Sequence, residues 1–150
     1  MSLTKIVFIC TGNTCRSPMA AAMASHIFAN AGLAVEVFSA GVNAIEGQPA
    51  SRHAVTVMKE GGLCLLSHKA AIVSADLLGD AALVLTMTDS HRTVLLSDYP
   101  AAHEKIFTLA GYVDDNINIA DPFGGSKEEY SACAAQIREL LTLAAKKFGS

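Results

Sequence analysis

The sequence predicts a doubly wound α/β domain with a central parallel sheet, and three observations carry that prediction. Short apolar runs without alternation, such as KIVFIC and ALVLTM, have the pattern of strands buried on both faces, as in a parallel sheet covered by helices. These runs alternate along the chain with segments of helical periodicity. The length of 150 residues, with 51% apolar and only 17% charged side chains, supports one sizeable core and gives no signature of disorder. One domain over residues 1–150 is therefore expected, with about four strands and no internal repeat or linker.

Each element follows from local chemistry. Residues 6–10 form the first buried strand. The helix after it has Ser17 as N-cap, Pro18 at its first position, a stripe of Met19, Met23, Ile27 and Ala31 beside Ala20, Ala24 and Phe28, and Gly32 as its stop. Residues 35–38 give a second strand, and a loop runs from SAG through Gly47 and Pro49. Residues 51–60 are helical and end at Gly61 and Gly62. A short helix around residues 76–78 precedes a strand at 82–87, and Thr88 or Asp89 caps the next helix. KIFTLAGY, residues 105–112, supplies the last strand, followed by the turn-rich NIADPFGGS. Ser126 and Glu129 form a capping box that opens a final helix with the stripe Tyr130, Cys133, Ala134, Ile137, Leu141 and Ala144.

Charge and termini narrow the function. A net charge of −3 provides no basic footprint for a phosphate backbone, so nucleic acid is not an expected partner. The apolar run after MSLTK is too short for a secretory core or a membrane span, which points to a cytoplasmic protein with no membrane partner. The four cysteines, Cys10, Cys15, Cys64 and Cys133, are expected to remain thiols in a reducing compartment. Cys64 and Cys133 lie in apolar surroundings and read as core.

CTGNTCRS, residues 10–17, is the chemical focus. A metal clip, a redox pair, a phosphate cradle and a plain turn are the readings open to it. Ligands of doubly wound sheets bind beyond the carboxyl ends of the strands, where a loop enters a helix N-terminus, and this segment sits there. A nucleotide P-loop would need a lysine and a different glycine spacing. A zinc site would need further ligands at short spacing, but Cys64 and Cys133 are isolated. An anion cradle remains, built from Thr11, Gly12, Asn13, Thr14, Cys15 and Ser17, with neither metal nor cofactor expected.

Cys10 opens this cradle and Arg16 closes it. A field that binds an anion also favours thiolate, and helix N-termini with nearby cations lower thiol pKa values from about 8.5 to roughly 3.5–7.5. Cys10 is thus the candidate nucleophile. Arg16 offers a planar fork for two phosphoryl oxygens and matches the charge that accumulates in the transition state. Expulsion of a poor leaving group also needs an acid. Asp121 in IADPFGGS is the candidate, on a loop able to arch over the cradle, although from the residues alone an ordinary Asp-Pro turn is the readier explanation. Asp89, Asp98, Asp114 and Asp115 are rivals that spacing does not eliminate.

With CTGNTCRSP, Ser39-Ala40-Gly41, His68 and Asp121-Pro122 in view, the chain resembles the low-molecular-weight protein tyrosine phosphatases over essentially its whole length. The resemblance implies a three-layer α/β/α domain with strand order 2-1-3-4 and a monomer acting on phosphorylated proteins. It also implies a two-step reaction in which Cys10 forms a phosphocysteine, Arg16 clamps the phosphoryl group, and Asp121 serves first as acid and then as base. It assigns Ser17 to the thiolate, and it assigns Asn13, Ser39 and His68 to a network that holds the loop. Cys15 either packs structurally or, as in some family members, forms a reversible disulfide with the nucleophile.

Two departures bear on substrate. Tyrosine-specific members commonly carry a bulky aliphatic residue at the position of Thr14 and a tyrosine pair at that of Phe123-Gly124. The motif looks more like the bacterial protein-arginine phosphatase branch, in which threonine shapes the pocket for a guanidinium leaving group. Phe123 supplies an aromatic wall for either substrate. Two other readings compete. A thioredoxin-coupled arsenate reductase would need relay cysteines after the third strand, where residues 81–105 contain none. A phosphoprotein-binding module would have no use for Cys10, Arg16 and Asp121 together.

Overall fold

The computed structural model of the protein describes residues 3–150. Four strands, β1 (Thr4–Cys10), β2 (Val35–Gly41), β3 (Leu83–Thr86) and β4 (Ile106–Thr108), form an all-parallel sheet in the order β2-β1-β3-β4. The order and the α/β class are those expected. Cys10, the last residue of β1, pairs with Gly41, the last of β2, so both strands deliver their carboxyl ends to one place.

The pleat of β1 divides its side chains between two cores. Ile6 and Phe8 face one side, where α1 (Arg16–Asn30), α2 (Arg52–Glu60) and α6 (Lys127–Phe148) contribute Met19, Phe28, Met58 and Ile137. Val7 and Ile9 face the other, against Leu78 of α3 (Ala75–Asp80) and Leu95 of α4 (Asp89–Asp98). Helices on both faces explain why β1 and β3 read as continuous apolar runs: Ile6 through Ile9 and Val84 and Leu85 are fully buried.

The capping box holds, with Ser126 Oγ accepting from Glu129 N and Glu129 Oε1 accepting from Ser126 N. Other boundaries differ. Helix α1 starts at Arg16 with Cys15 as N-cap, so Ser17 lies inside the helix and not at its cap. Its hydroxyl is already engaged by Cys10 and Asn13. Strand β4 stops at Thr108, because Thr108 Oγ1 accepts from Gly111 N at 2.8 Å and turns the rest of KIFTLAGY into a short helix, α5 (Leu109–Tyr112). A 3-10 turn over Pro100–Lys105 was not expected. Ile27 of the predicted α1 stripe is only half-buried. Cys64, expected in the core, is exposed, since it lies on the loop after α2 and not in an element.

Candidate active site

Asn13 is the structural centre of the loop between β1 and α1. It has φ of 56°, in the left-handed region that asparagine tolerates better than most residues, and it is fully buried. Its Nδ2 donates to Ser17 Oγ at 2.8 Å and to Ser39 Oγ at 2.9 Å, and its Oδ1 accepts from Ala71 N at 2.9 Å. Its carbonyl oxygen lies 2.7 Å from His68 Nε2, which donates to it. These bonds satisfy every polar atom of the side chain and offset the backbone strain. Asn13, Ser39 and His68 thus come together as a single network.

The loop lies flat on β2 because Gly41 has no side chain. A Cβ there would sit 2.4 Å from Thr11 O and 3.0 Å from Asn13 N. Two further bonds tie the loop down: Asn43 N donates to Thr11 O and Ser51 N to Thr14 O, each at 2.9 Å.

Cys10 Sγ lies 2.9 Å from Ser17 Oγ. Asn13 donates to that oxygen, so the Ser17 proton has two acceptors in reach, the Cys10 sulfur and, farther off at 3.5 Å, Ala40 O. Arg16 is buried, with Nη1 donating to Ile119 O at 2.8 Å and Nη2 lying 3.5 Å from both Thr11 Oγ1 and Asp121 Oδ2. Asp121 is half-exposed, and its Oδ1 accepts from Phe123 N at 3.0 Å. It therefore makes an Asp-Pro turn and also faces the cradle, so the two readings of this residue are compatible. A cavity of about 340 Å³ is lined by Cys10, Thr11, Gly12, Thr14, Cys15, Arg16, Asp121 and Phe123, together with Asn43 and Gln48.

The remaining thiols differ in setting. Cys15 is buried between Tyr130 Oη at 3.3 Å and Ser51 Oγ at 3.5 Å. Burial, reinforced by the bond to Cys15, pushes the Tyr130 hydroxyl up to about 12. Burial likewise pushes the Cys133 thiol up to about 12, which makes it inert as a nucleophile at neutral pH. Among the described residues, no group of three or more His, Cys, Asp or Glu side chains is arranged to hold a metal ion.

Sequence reasoning missed Asn43, Gln48, Ile119 and, above all, His91. The His91 ring lies 2.8 Å from Thr11 Oγ1 through Nε2 and 3.0 Å from Thr88 Oγ1 through Nδ1. Burial first, and then the Arg16 charge, lower its pKa to about 4, with Asp121 opposing. The only sequence signal was its place three residues past the N-cap candidate Thr88; its contact with Thr11 spans 80 positions.

A thiol and a guanidinium stand at the two ends of a loop that enters a helix N-terminus, and the Asp121 carboxylate, 3.5 Å from the guanidinium, lines the same cavity, an arrangement suited to phosphoryl transfer through sulfur. Comparison with known proteins agrees: residues 5–148 match the family described as low molecular weight phosphotyrosine protein phosphatase, and the chain belongs to that family. It is 43% identical over 144 residues to the protein-arginine-phosphatase of Geobacillus stearothermophilus, covering 95% of each chain. It is 37% identical over 137 residues to the low molecular weight protein-tyrosine-phosphatase PtpB of a Staphylococcus epidermidis strain, covering 91% of this chain and 94% of the relative. A solved structure of the arginine phosphatase YwlE, in which a phosphorylated serine replaces the active-site cysteine, superposes with a TM-score of 0.95 at 38% identity, over 98% of this chain and 97% of that one.

Proposed function

We propose that the protein hydrolyses phosphorylated protein side chains, with Cys10 as nucleophile, and that phosphoarginine is its preferred substrate. The observation that carries the reading is the convergence of the Cys10 sulfur, the Arg16 guanidinium and the Asp121 carboxyl on one small cavity, with the buried Ser17 hydroxyl 2.9 Å from the sulfur. The Cys10 thiolate attacks phosphorus and forms an S–P bond while the bond from phosphorus to the leaving group breaks. Asp121 gives its proton to the departing nitrogen or oxygen. Water then attacks phosphorus, Asp121 takes its proton, the S–P bond breaks and phosphate leaves. Arg16 and the loop N–H groups hold the equatorial oxygens throughout.

Thr14 supports the arginine preference. Its Oγ1 lies beside the cavity, 3.7 Å from where a Cβ on Gly12 would be, and it puts a hydroxyl where an aliphatic side chain would give a phenol an apolar wall. A planar guanidinium with several N–H donors gains from that acceptor. The arginine-phosphatase relatives favour the same substrate, while PtpB favours phosphotyrosine as the second reading. Phe123, 73% exposed at the rim, is free to stack on either group. The reading includes a monomeric cytoplasmic enzyme that needs no cofactor; among the described residues, no helix is long and apolar enough to cross a membrane.

Matched phosphoarginine and phosphotyrosine peptides test the substrate. The arginine reading expects the higher kcat/KM on phosphoarginine and a shift toward phosphotyrosine in Thr14→Ile. A strong preference of the parent protein for phosphotyrosine sinks that assignment. Turnover that survives Cys10→Ser, or that requires a metal, sinks the mechanism. Asp121→Ala is expected to slow turnover by about 100-fold or more for poor leaving groups and far less for p-nitrophenyl phosphate.

A further inference from the structure

The reaction above gives His91 no part, yet its ring is buried against the cradle. Its surroundings leave little freedom. Thr88 caps the first turn of α4, its hydroxyl oxygen accepting from the His91 backbone N–H at 3.3 Å, and the same oxygen meets ring Nδ1 at 3.0 Å. The opposite nitrogen, Nε2, meets Thr11 Oγ1 at 2.8 Å, and Thr11 Oγ1 in turn accepts from Arg16 Nη2 at 3.5 Å. The chain Thr88–His91–Thr11–Arg16 therefore runs from a helix cap to the guanidinium.

The need for such a brace follows from the other partners of Arg16. Nη1 is anchored by Ile119 O, but Nη2 is shared between Thr11 and Asp121, both at 3.5 Å. In the proposed reaction Asp121 is protonated in one step and ionised in the next, so its pull on Nη2 comes and goes. Thr11 offers a constant partner only if its hydroxyl cannot rotate away. We propose that His91 is a positioning residue for the phosphoryl clamp, holding the Thr11 hydroxyl so that Arg16 keeps its orientation while Asp121 changes charge. The inference rests on the phosphatase reading given above.

The charged groups facing the ring are Arg16 from α1 and Asp121 from the loop before α6. Burial and Arg16 keep the imidazole neutral down to about pH 4. Either neutral tautomer retains both bonds, since a hydroxyl can donate or accept. No second cation is then set beside Arg16 over the working range.

A double-mutant cycle tests the proposal, with kcat and KM for p-nitrophenyl phosphate and melting temperature as readouts. His91→Asn keeps a polar group near Thr88 but falls short of Thr11, and Thr11→Val removes the hydroxyl at constant shape. Each is expected to lower kcat about tenfold with KM changed less than threefold, as for loss of one hydrogen bond to a charged group's partner. The double variant is expected to fall no further than the worse single, because both cut the same chain. Thr11→Ser is expected to regain most of what Thr11→Val loses. Multiplying effects, or a His91→Asn protein that keeps kcat within twofold, overturn the inference. If His91→Asn does not fold, His91→Phe, which keeps a ring and loses both bonds, takes its place: kcat within twofold of the parent overturns the inference, and a tenfold loss that Thr11→Val does not deepen supports it. A parent protein without turnover would instead overturn the phosphatase reading, so the two failures are distinct.

Discussion

Asn13 shows how much a single side chain carries. It is buried, left-handed in its backbone, and bonded to Ser17, Ser39 and Ala71, with His68 on its carbonyl. Asn13→Ala leaves Ala71 N and both serines short of a partner and places alanine at positive φ. A loss of about 3 kcal/mol in chemical denaturation is expected, with near-complete loss of turnover; a loss under about 1 kcal/mol would contradict this account of the loop. His91 makes a second prediction at this scale. Its pKa falls from 6.5 to about 4 on folding, so between those values the unfolded chain binds a proton that the native ring refuses. Its contribution is therefore present above about pH 6.5, declines as the pH falls toward 4, and changes no further below that. His91→Asn should be less sensitive to pH than the parent over that window, and equal slopes would contradict the assignment. Asn13's network was expected only through the family resemblance and His91 not at all, because Ser39, His68 and Ala71 lie 26 to 58 positions from Asn13, and Thr11 lies 80 from His91.

At the scale of elements, strand content and the ends marked by clear caps, Ser126, Thr88 and Gly61, were legible, while other ends were not. Buried strands such as β1 and β3 announce themselves by continuous apolar runs, because helices cover both faces. The starts of α1 and α5 were hidden by side chains with two possible duties. Ser17 could cap a helix or serve Cys10, and the loop took it for the latter. Thr108 could extend a strand or cap a turn, and its bond to Gly111 N chose the turn. Gly41 is the clearest case of an element end that serves the site, since it terminates β2 under the backbone of Thr11. Gly41→Ala would drive a methyl group into Thr11 O, and displacement of the loop is expected to cost more than about 100-fold in kcat/KM. Activity within about threefold of the parent would show that the loop need not lie on β2.

For the whole molecule, the parallel sheet converges the ends of β1 and β2 beneath one helix N-terminus, while the loop before α6 brings Asp121 to Arg16 across 105 residues of sequence. That convergence made the anion cradle legible from its place after the first strand. It did not select Asp121 over the other aspartates, because only the folded chain brings one of them to Arg16. The central claim is that Cys10 becomes covalently phosphorylated during turnover, and acid-quenched intact-mass measurement tests it most directly. During turnover of p-nitrophenyl phosphate, the Asp121→Asn protein is expected to gain the mass of one phosphoryl group, mapped by proteolysis to the peptide containing Cys10 and absent from Cys10→Ala. Turnover with no adduct in a rapid quench, or an adduct that persists in Cys10→Ala, would contradict it.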